Sequence, residues 1–297
     1  MNAFLNSAAG RSRIVVLGML SLLIVALPAC VFHVGGGSWH HSYSSDDAKY
    51  RETREFEVAH VPGSAIRVST KMGSVRVRRG DVDAVRIVAK LRCKTEDRLE
   101  RTEIVAERTD GGDLRVRVEW PNGKRKDAEG CSFEITVPDA RGVEVRSTYG
   151  AVSLAGLKGK ASVETSYGQV RIDHHDGAVD ADTSFGGIEM SEIAGPIDVR
   201  TSYGGVAVRM TEDNPGPVRI DTSFGGVDLE AGSAFRGGLS MKTSFGDVKV
   251  TGAGASEVPV RYLSKGRTSA KVHVGDDDAA SSRIDTSYGG IHVRFGR

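Results

Sequence analysis

The sequence predicts an all-β protein whose main part is a parallel β-solenoid (β-helix-like), with about 18–21 residues and two strands per coil. Three observations support this prediction. The phrase TS[YF]GG recurs along the second half of the chain, and apolar residues recur every nine residues across its copies. Glycine is abundant at 37 residues while aromatic residues make up only 6%, which favours a turn-rich β protein over a helical one.

Seven copies of the phrase define the repeat, and their first glycines are Gly150, Gly168, Gly186, Gly204, Gly225, Gly246 and Gly289. The intervals are 18, 18, 18, 21, 21 and 43 residues. The last interval fits two coils if "LSKGRTSAKVHV", around Gly266, is a degenerate copy. The apolar residues that begin successive strands lie nine apart: Val152, Ala161, Val170, Val179, Ile188, Ile197 and Val206. Stacked coils would bury these side chains in one continuous core.

The repeated phrase itself is interpreted as scaffold. In "TSYGGVAV", residues 201–208, strand alternation directs most side chains inward and leaves only Ser202 and Ala207 facing solvent. Gly204 and Gly205 would form a corner, where glycine adopts positive φ at low cost. The aromatic residues of the copies are predicted to form one inward column: Tyr149, Tyr167, Phe185, Tyr203, Phe224, Phe245 and Tyr288. Core packing is the favoured role, and an exposed stripe for stacking on glycans is the alternative.

The N-terminus is predicted to be a targeting segment rather than part of the fold. Residues 1–29 combine a basic leader, the apolar run "IVVLGMLSLLIVA" and "LPA", which is the form of a signal peptide. Leu27 and Ala29 before Cys30 resemble a bacterial lipobox, from which Pro28 departs, and this resemblance implies lipidation at Cys30. Ordinary cleavage and an uncleaved anchor remain alternatives. Residues 30–50, rich in glycine, serine and histidine, are predicted to be a flexible tether.

Residues 51–140 are predicted to form an irregular N-terminal β region with polar insertions, and residues 141–297 the repetitive solenoid. If Cys30 carries lipid, Cys93 and Cys131 remain as an even pair in an oxidising compartment, so we expect a disulfide between them. The disulfide would close a loop of about 39 residues, which would stabilise the fold by roughly 4 kcal/mol. Two unpaired thiols at unrelated sites are the alternative.

The outward positions of the solenoid supply one candidate site. The register brings Glu164, Asp180, Asp182 and Asp198 into one patch with Arg200 at its edge. Such clusters serve polysaccharide-cleaving β-helix enzymes, but a solvated face with partly paired charges is the favoured interpretation. The "DHHD" turn at residues 173–176 could bind a metal, although a polar turn is again favoured, and we expect no metal and no cofactor.

Other function classes find no support in the sequence. The formal net charge of +1 gives no basic field for nucleic acid. No nucleophile elbow, phosphate-binding loop, HExxH motif or CxxC pair occurs, so we expect that the protein is not an enzyme.

The run "FEITVPDARGVEVRSTYGAVSL", followed by several TS[YF]GG[VI]x[VL] copies, resembles the bacterial putative-adhesin domain family, a domain of unknown function. The resemblance covers roughly residues 51–297. It implies a secreted or membrane-tethered β-solenoid and brings no catalytic residues with it.

The sequence therefore predicts an exported, lipid-anchored protein of the bacterial cell envelope that serves as an adhesin-like binding or scaffold module. Its expected partners are an envelope polymer, a glycan or a surface protein, besides the membrane that holds the anchor. A carbohydrate-active enzyme that uses the acidic patch is one alternative. The resemblance also implies a second alternative, a non-catalytic regulatory or envelope-stress accessory protein.

Overall fold

A computed structural model of the chain describes residues 13–16, 48–252, 259–275 and 281–296. The predicted signal peptide, except residues 13–16, and the predicted tether as far as residue 47 lie outside the described residues. The chain divides into two compact units, Met1–Tyr149 and Gly150–Arg297. The predicted domain bounds stay predictions.

The first unit combines antiparallel and parallel strands with one short helix. Its elements are β1 (Arg13–Val16), β2 (Tyr50–Ala59), β3 (Ala65–Ser69), β4 (Val75–Arg79), β5 (Ala84–Cys93), α1 (Glu96–Glu100), β6 (Glu103–Arg108), β7 (Leu114–Glu119), a 3₁₀ turn (Pro121–Gly123), β8 (Gly130–Val137) and β9 (Gly142–Arg146). One sheet has the order β1-β6-β7-β3-β9, and the other has the order β2-β5-β8-β4. In the first sheet β1, β6 and β7 are antiparallel, whereas β3 runs parallel to β7 and β9.

Two arginines hold α1 against the first unit. Thr95 caps the helix by accepting a hydrogen bond from the Arg98 amide. The buried Arg98 guanidinium donates to both carboxylate oxygens of the fully buried Glu129, at 2.6 and 2.7 Å. Arg54 donates to the carbonyl of Leu99 at 2.8 Å. These charge-assisted bonds compensate for the cost of burying the charges.

The second unit is the solenoid. Its strands are β10 (Val152–Ala155), β11 (Lys160–Thr165), β12 (Val170–His175), β13 (Val179–Phe185), β14 (Ile188–Ile193), β15 (Ile197–Tyr203), β16 (Val206–Met210), β17 (Val218–Phe224), β18 (Val227–Ala231), β19 (Gly237–Phe245), β20 (Val248–Thr251), β21 (Val260–Lys265), β22 (Ser269–Val274), β23 (Ser282–Tyr288) and β24 (Ile291–Phe295). One sheet has the order β11-β13-β15-β17-β23-β19-β22-β21, and the other has the order β10-β12-β14-β16-β18-β24-β20. The strands from β10 to β20 pair in parallel with one another and with β23 and β24, which confirms the predicted solenoid.

The last coil does not follow chain order. β23 lies between β17 and β19, and β24 lies between β18 and β20, so the C-terminal coil is inserted between two earlier coils. The expectation that the segment around Gly266 forms another coil is wrong. That segment belongs to β21 and β22, which form an antiparallel pair at the end of the first sheet beside β19.

The nine-residue pattern forms the core as predicted, since every residue of that series is at most 2% exposed. The threonine of the six copies that begin with Thr-Ser also points inward and is buried. Its hydroxyl donates to the carbonyl of the first glycine one coil away, as Thr201 does to Gly186 at 3.1 Å and Thr286 does to Gly225 at 3.0 Å. This bond repeats from coil to coil and satisfies a carbonyl that the strand ladders leave over.

In most copies the first glycine of the phrase is required for close approach rather than for positive φ, which only Gly150 and Gly289 among the seven adopt. A Cβ on Gly204 would lie 2.1 Å from the carbonyl oxygen of Gly186, and one on Gly186 would lie 2.0 Å from that of Gly168. Neither Gly186 nor Gly204 has positive φ, so the expected reason for glycine at this corner is wrong for them. Neighbouring coils simply leave no room for a side chain.

The prediction of an inward aromatic column is also wrong. Phe185, Tyr203 and Phe224 are 44–49% exposed and Phe245 is 64% exposed, because the strand reaches the corner here and the ring turns outward. The rings of successive coils stack face to face at 4.7–4.9 Å, nearly parallel. Within the stack each ring face is covered by the next ring, so solvent meets mainly ring edges. The alternative role, stacking of sugars on the ring faces, is therefore not possible inside the column, because no ring face is free there.

Candidate functional site

The predicted patch is brought together on the outer face of the sheet that contains β11, β13 and β15. Glu164 pairs across the strands with Asp182, Asp180 with Asp198, and Asp182 with Arg200. The Arg200 guanidinium lies 2.8 Å from Asp198 and 4.0 Å from Asp180. Arg200 therefore forms ion pairs with two of the four carboxylates and lies beside a third, Asp182, on the neighbouring strand.

The Asp182 carboxyl lies beside the other carboxylates of the patch and beside Arg200. Partial burial raises the pKa of Asp182 above its ordinary value, and the neighbouring carboxylates raise it further, whereas Arg200 lowers it. A carboxyl in this setting binds a proton, a cation or a hydrogen-bond donor more readily than an isolated surface aspartate does. Closely spaced carboxylates alone do not make a catalytic site.

Two residues of the patch, Asp182 and Arg200, form one end of a shallow groove of about 510 Å³ on the same sheet face. We call this feature the serine groove. Four serines contributed by successive coils line it: Ser202, Ser223, Ser287 and Ser244. A row of charged residues runs beside them across β13, β15, β17, β23 and β19: Asp182, Arg200, Asp221, Asp285 and Lys242. Five strand positions give the groove a length of roughly 20 Å along the solenoid axis.

The serine groove combines donors and acceptors at a regular spacing. Serine hydroxyls both donate and accept hydrogen bonds, carboxylates accept, and the guanidinium and ammonium groups donate. Arg283 also lines the groove and contacts the Asp285 carboxylate, so part of its charge is already balanced. The exposed aromatic column runs along the end of the same strands, one residue beyond the serines.

Sequence reasoning found the acidic end of the groove and missed most of its length. Asp221 and Lys242 occupy the same place in the repeat as Asp182, directly before the Thr-Ser pair, which was the available signal. Asp285 also directly precedes a Thr-Ser pair. Its position between Asp221 and Lys242 depends on the inserted C-terminal coil, which the chain order does not indicate.

The "DHHD" turn has its polar groups engaged within the fold. His175 is buried, its Nε2 donates to the carbonyl of Gly159 at 2.8 Å, and burial lowers the pKa of its imidazole. Asp173 accepts a hydrogen bond from the Ser191 hydroxyl at 2.6 Å. Across the described ranges, no group of three or more His, Cys, Asp or Glu residues is placed to hold a metal ion.

Cys93 and Cys131 are free thiols in the structure, so the expected disulfide is not formed there. Cys131 pairs across the strands with Leu91, which makes Cys93 its diagonal neighbour on the same buried face. Diagonal neighbours lie roughly 7–8 Å apart, beyond the usual reach of a disulfide without backbone movement. Burial raises the pKa of the Cys93 thiol to about 11 and that of the Cys131 thiol further, so both favour the protonated form. Whether oxidation bridges them stays a prediction.

The predicted lipidation site, Cys30, lies outside the described residues. Where the structure does describe the chain, none of its helices has the length and apolar character needed to cross a membrane.

Comparison with known proteins gives one family and several distant folds. The family model of Toastrack DUF4097 matches residues 95–294. A solved putative-adhesin structure from Bacteroides fragilis is 10% identical, covers 83% of this chain and 98% of its own, and has a TM-score of 0.43. A putative-cell-adhesion protein from Clostridium sporogenes is 13% identical over 83% of this chain and 99% of its own, with a TM-score of 0.32.

A protein from Parabacteroides distasonis described as putative-lipid-binding is 11% identical over 82% of this chain and 96% of its own, with a TM-score of 0.30. No curated protein matches the chain.

Proposed function

The chain belongs to the Toastrack DUF4097 family, and from that premise we propose that it is an adhesin-like binding module that holds a linear, hydroxyl-rich polymer of the cell envelope in the serine groove. The observation that carries the proposal is the groove itself, in which each of five adjacent coils contributes polar groups at the same height. The proposal retains the expectation that the protein is not an enzyme.

The chemistry of the groove favours a glycan over a peptide. Every strand beneath the groove lies inside a sheet with a neighbour on both sides, so its backbone groups are already paired and no peptide strand can be added there. Sugar hydroxyls donate and accept, as the groove's serines do, and they also match its carboxylates and cations. An uncharged glycan could therefore donate hydrogen bonds to the carboxylates of the groove and accept hydrogen bonds from its cations.

The regularity of the groove favours an extended polymer over a small molecule. Adjacent coils repeat at about 4.8 Å, so successive units of a linear chain along the solenoid axis would each meet a charged side chain, with a serine hydroxyl beside four of the five. Each single contact is weak because the site is open to water. Affinity would therefore come from several units bound at once.

The location that we propose is the bacterial cell envelope, with the lipid anchor at Cys30. The support is the sequence pattern at the N-terminus, in which a basic leader and an apolar run precede "LPAC". A tether of about 20 residues would then separate the anchor from the folded units.

The test is co-sedimentation of the purified protein with insoluble cell-wall polysaccharide. Ser202→Trp places a bulky ring in the groove, and we expect the bound fraction to fall at least fivefold. Ala207→Trp is the matched control, since Ala207 is an exposed residue of the same coil on the opposite sheet. Equal binding by both variants would overturn the groove as the site.

The same assay separates binding from the enzymatic alternative. Release of soluble sugar that is abolished by Asp182→Ala or Asp198→Ala would establish a polysaccharide-active enzyme and contradict a purely binding role. No binding and no release, across neutral, acidic and amino polysaccharides, would favour the regulatory accessory role instead.

A further inference from the structure

The C-terminal coil, residues 282–295, occupies an unusual place in the solenoid. In chain order β17 and β18 are followed by β19 and β20, and only the residues 232–236 connect them. In space these two coils stand apart by the thickness of one coil, and β23 and β24 fill the space between them. We call this space the slot.

The C-terminal coil makes specific contacts with the coils on both sides of the slot. Towards β17, the Val218 amide donates to the Ser282 hydroxyl at 3.0 Å, and the Phe224 and Tyr288 rings stack at 4.9 Å. Towards β19, the Thr243 hydroxyl donates to the Gly289 carbonyl at 2.9 Å. The apolar residues of the coil are 0–3% exposed: Ile284, Ile291, Val293 and Phe295. An unfilled slot would expose this core and leave strand edges unpaired on both sides.

The coil is joined to the rest of the chain by one connection that is longer than its path requires. β22 ends at Val274, opposite Gly237, and β23 begins at Ser282, opposite Leu239. Both ends thus lie near the start of β19, two strand spacings apart, which is roughly 10 Å. The seven residues from 275 to 281 can reach roughly 25 Å when extended.

From this topology we propose that the C-terminal coil of one copy fills the slot of a second copy, so that two molecules of this chain become linked by coil exchange. The contacts in the exchanged state are identical to those within one chain, so exchange forfeits no packing or hydrogen bonds. Its cost is the entropy of association, which falls when copies are held close together. The proposal does not depend on the ligand of the serine groove.

Pairing between exposed sheet edges is a weaker route to the same association. β21 ends its sheet and its residues are largely exposed. Two copies of β21 pairing antiparallel about Leu263 would place Arg261 of each copy opposite Lys265 of the other. Like charges opposite one another destabilise a strand pair, so this edge is protected against self-pairing while the slot is not.

The experiment uses two variants of the full chain, Ser240→Cys and Arg283→Cys, each with Cys30→Ser, so that one exposed cysteine is added while Cys93 and Cys131 stay buried. Ser240 of β19 and Arg283 of β23 are direct partners on the outer face of the sheet. Neighbouring parallel strands lie about 4.8 Å apart, within the range that a disulfide spans. In a mixture of the two variants, these positions meet only if the coil of one copy enters the slot of the other.

The matched control is a mixture of Ser162→Cys and Asp180→Cys, which are direct partners in the same outward row on β11 and β13. These strands follow one another along one chain, so their meeting between copies reports only random collision. The variants are unfolded in urea, refolded together at increasing concentration, oxidised and separated on non-reducing gels.

We expect a disulfide-linked dimer of Ser240→Cys with Arg283→Cys, at least fivefold above the control mixture and increasing with concentration. A yield equal to the control at every concentration overturns the proposal. The double variant Ser240→Cys/Arg283→Cys tests the slot itself. At low concentration it must form a crosslink within the monomer, and failure to do so would show that the coil does not occupy the slot.

Discussion

Gly204→Ala tests the claim that the repeated phrase is scaffold. The new Cβ would lie 2.1 Å from the carbonyl oxygen of Gly186, where ordinary contact begins at 3.4 Å, so the coils must separate by about 1.3 Å. The hydrogen bonds that cross this junction, from the Gly186 amide to the Tyr203 carbonyl at 3.1 Å and from the Ile188 amide to the Gly205 carbonyl at 3.0 Å, cannot survive that shift. Two lost bonds at about 1 kcal/mol each, with overpacking of about 1–3 kcal/mol, give a destabilisation of roughly 3–5 kcal/mol.

The assay is thermal and urea unfolding followed by circular dichroism, with Gly205→Ala as the control. A Cβ on Gly205 would lie 3.6 Å from the nearest backbone oxygen, and its φ is not positive, so this change should shift stability by less than about 1 kcal/mol. For a unit of this size we expect Gly204→Ala to lower the Tm by roughly 10 °C. Equal shifts for the two alanine variants would refute the close-approach explanation.

Three further changes have defined outcomes. Thr201→Val removes the hydroxyl that donates to the Gly186 carbonyl and should lower the free energy of unfolding by about 1–2 kcal/mol in urea titration. Burial lowers the pKa of His175 below its ordinary value of 6.5, so the folded state binds fewer protons than the unfolded state. Stability should therefore fall as pH drops below about 6.5, and His175→Gln should flatten that slope of unfolding free energy against pH. The pKa of Asp182 is raised, so its folded state favours the protonated form and its stabilising effect is lost as pH rises through the acid range. Asp182→Asn should thus raise the free energy of unfolding in urea titration at pH 7 by about a few tenths of a kcal/mol, with the gain vanishing near pH 3.

Most of the solenoid could be predicted from the sequence because the determining pattern is local. Val152 and its nine-residue successors specify two strands per coil, and an inward threonine follows from strand alternation. The order of coils could not be predicted. The copies of the phrase that contain Phe224, Phe245 and Tyr288 have the same local pattern, so a coil built from any of them can pack against either of the others. Their order in the solenoid is therefore determined by the complete fold and not by the local sequence.

The candidate site was predictable to the extent that it depends on register between consecutive coils. Asp180 and Asp198 are one coil apart in both sequence and space, and the patch formed as expected. The outward turn of Tyr203 was not predictable from alternation, because the strand ends at a corner where the inside–outside rule stops applying. The far half of the serine groove depended on the inserted coil and was missed for that reason.

The central claim is that a linear glycan binds along the serine groove. Its most direct measurement is isothermal titration of the purified chain with fragments of increasing length from the polysaccharide that it sediments with. We predict that affinity increases with fragment length until about five coils are spanned, and that Ser202→Trp abolishes the heat of binding while Ala207→Trp leaves it unchanged. Affinity independent of fragment length, or retained in Ser202→Trp, would contradict the account.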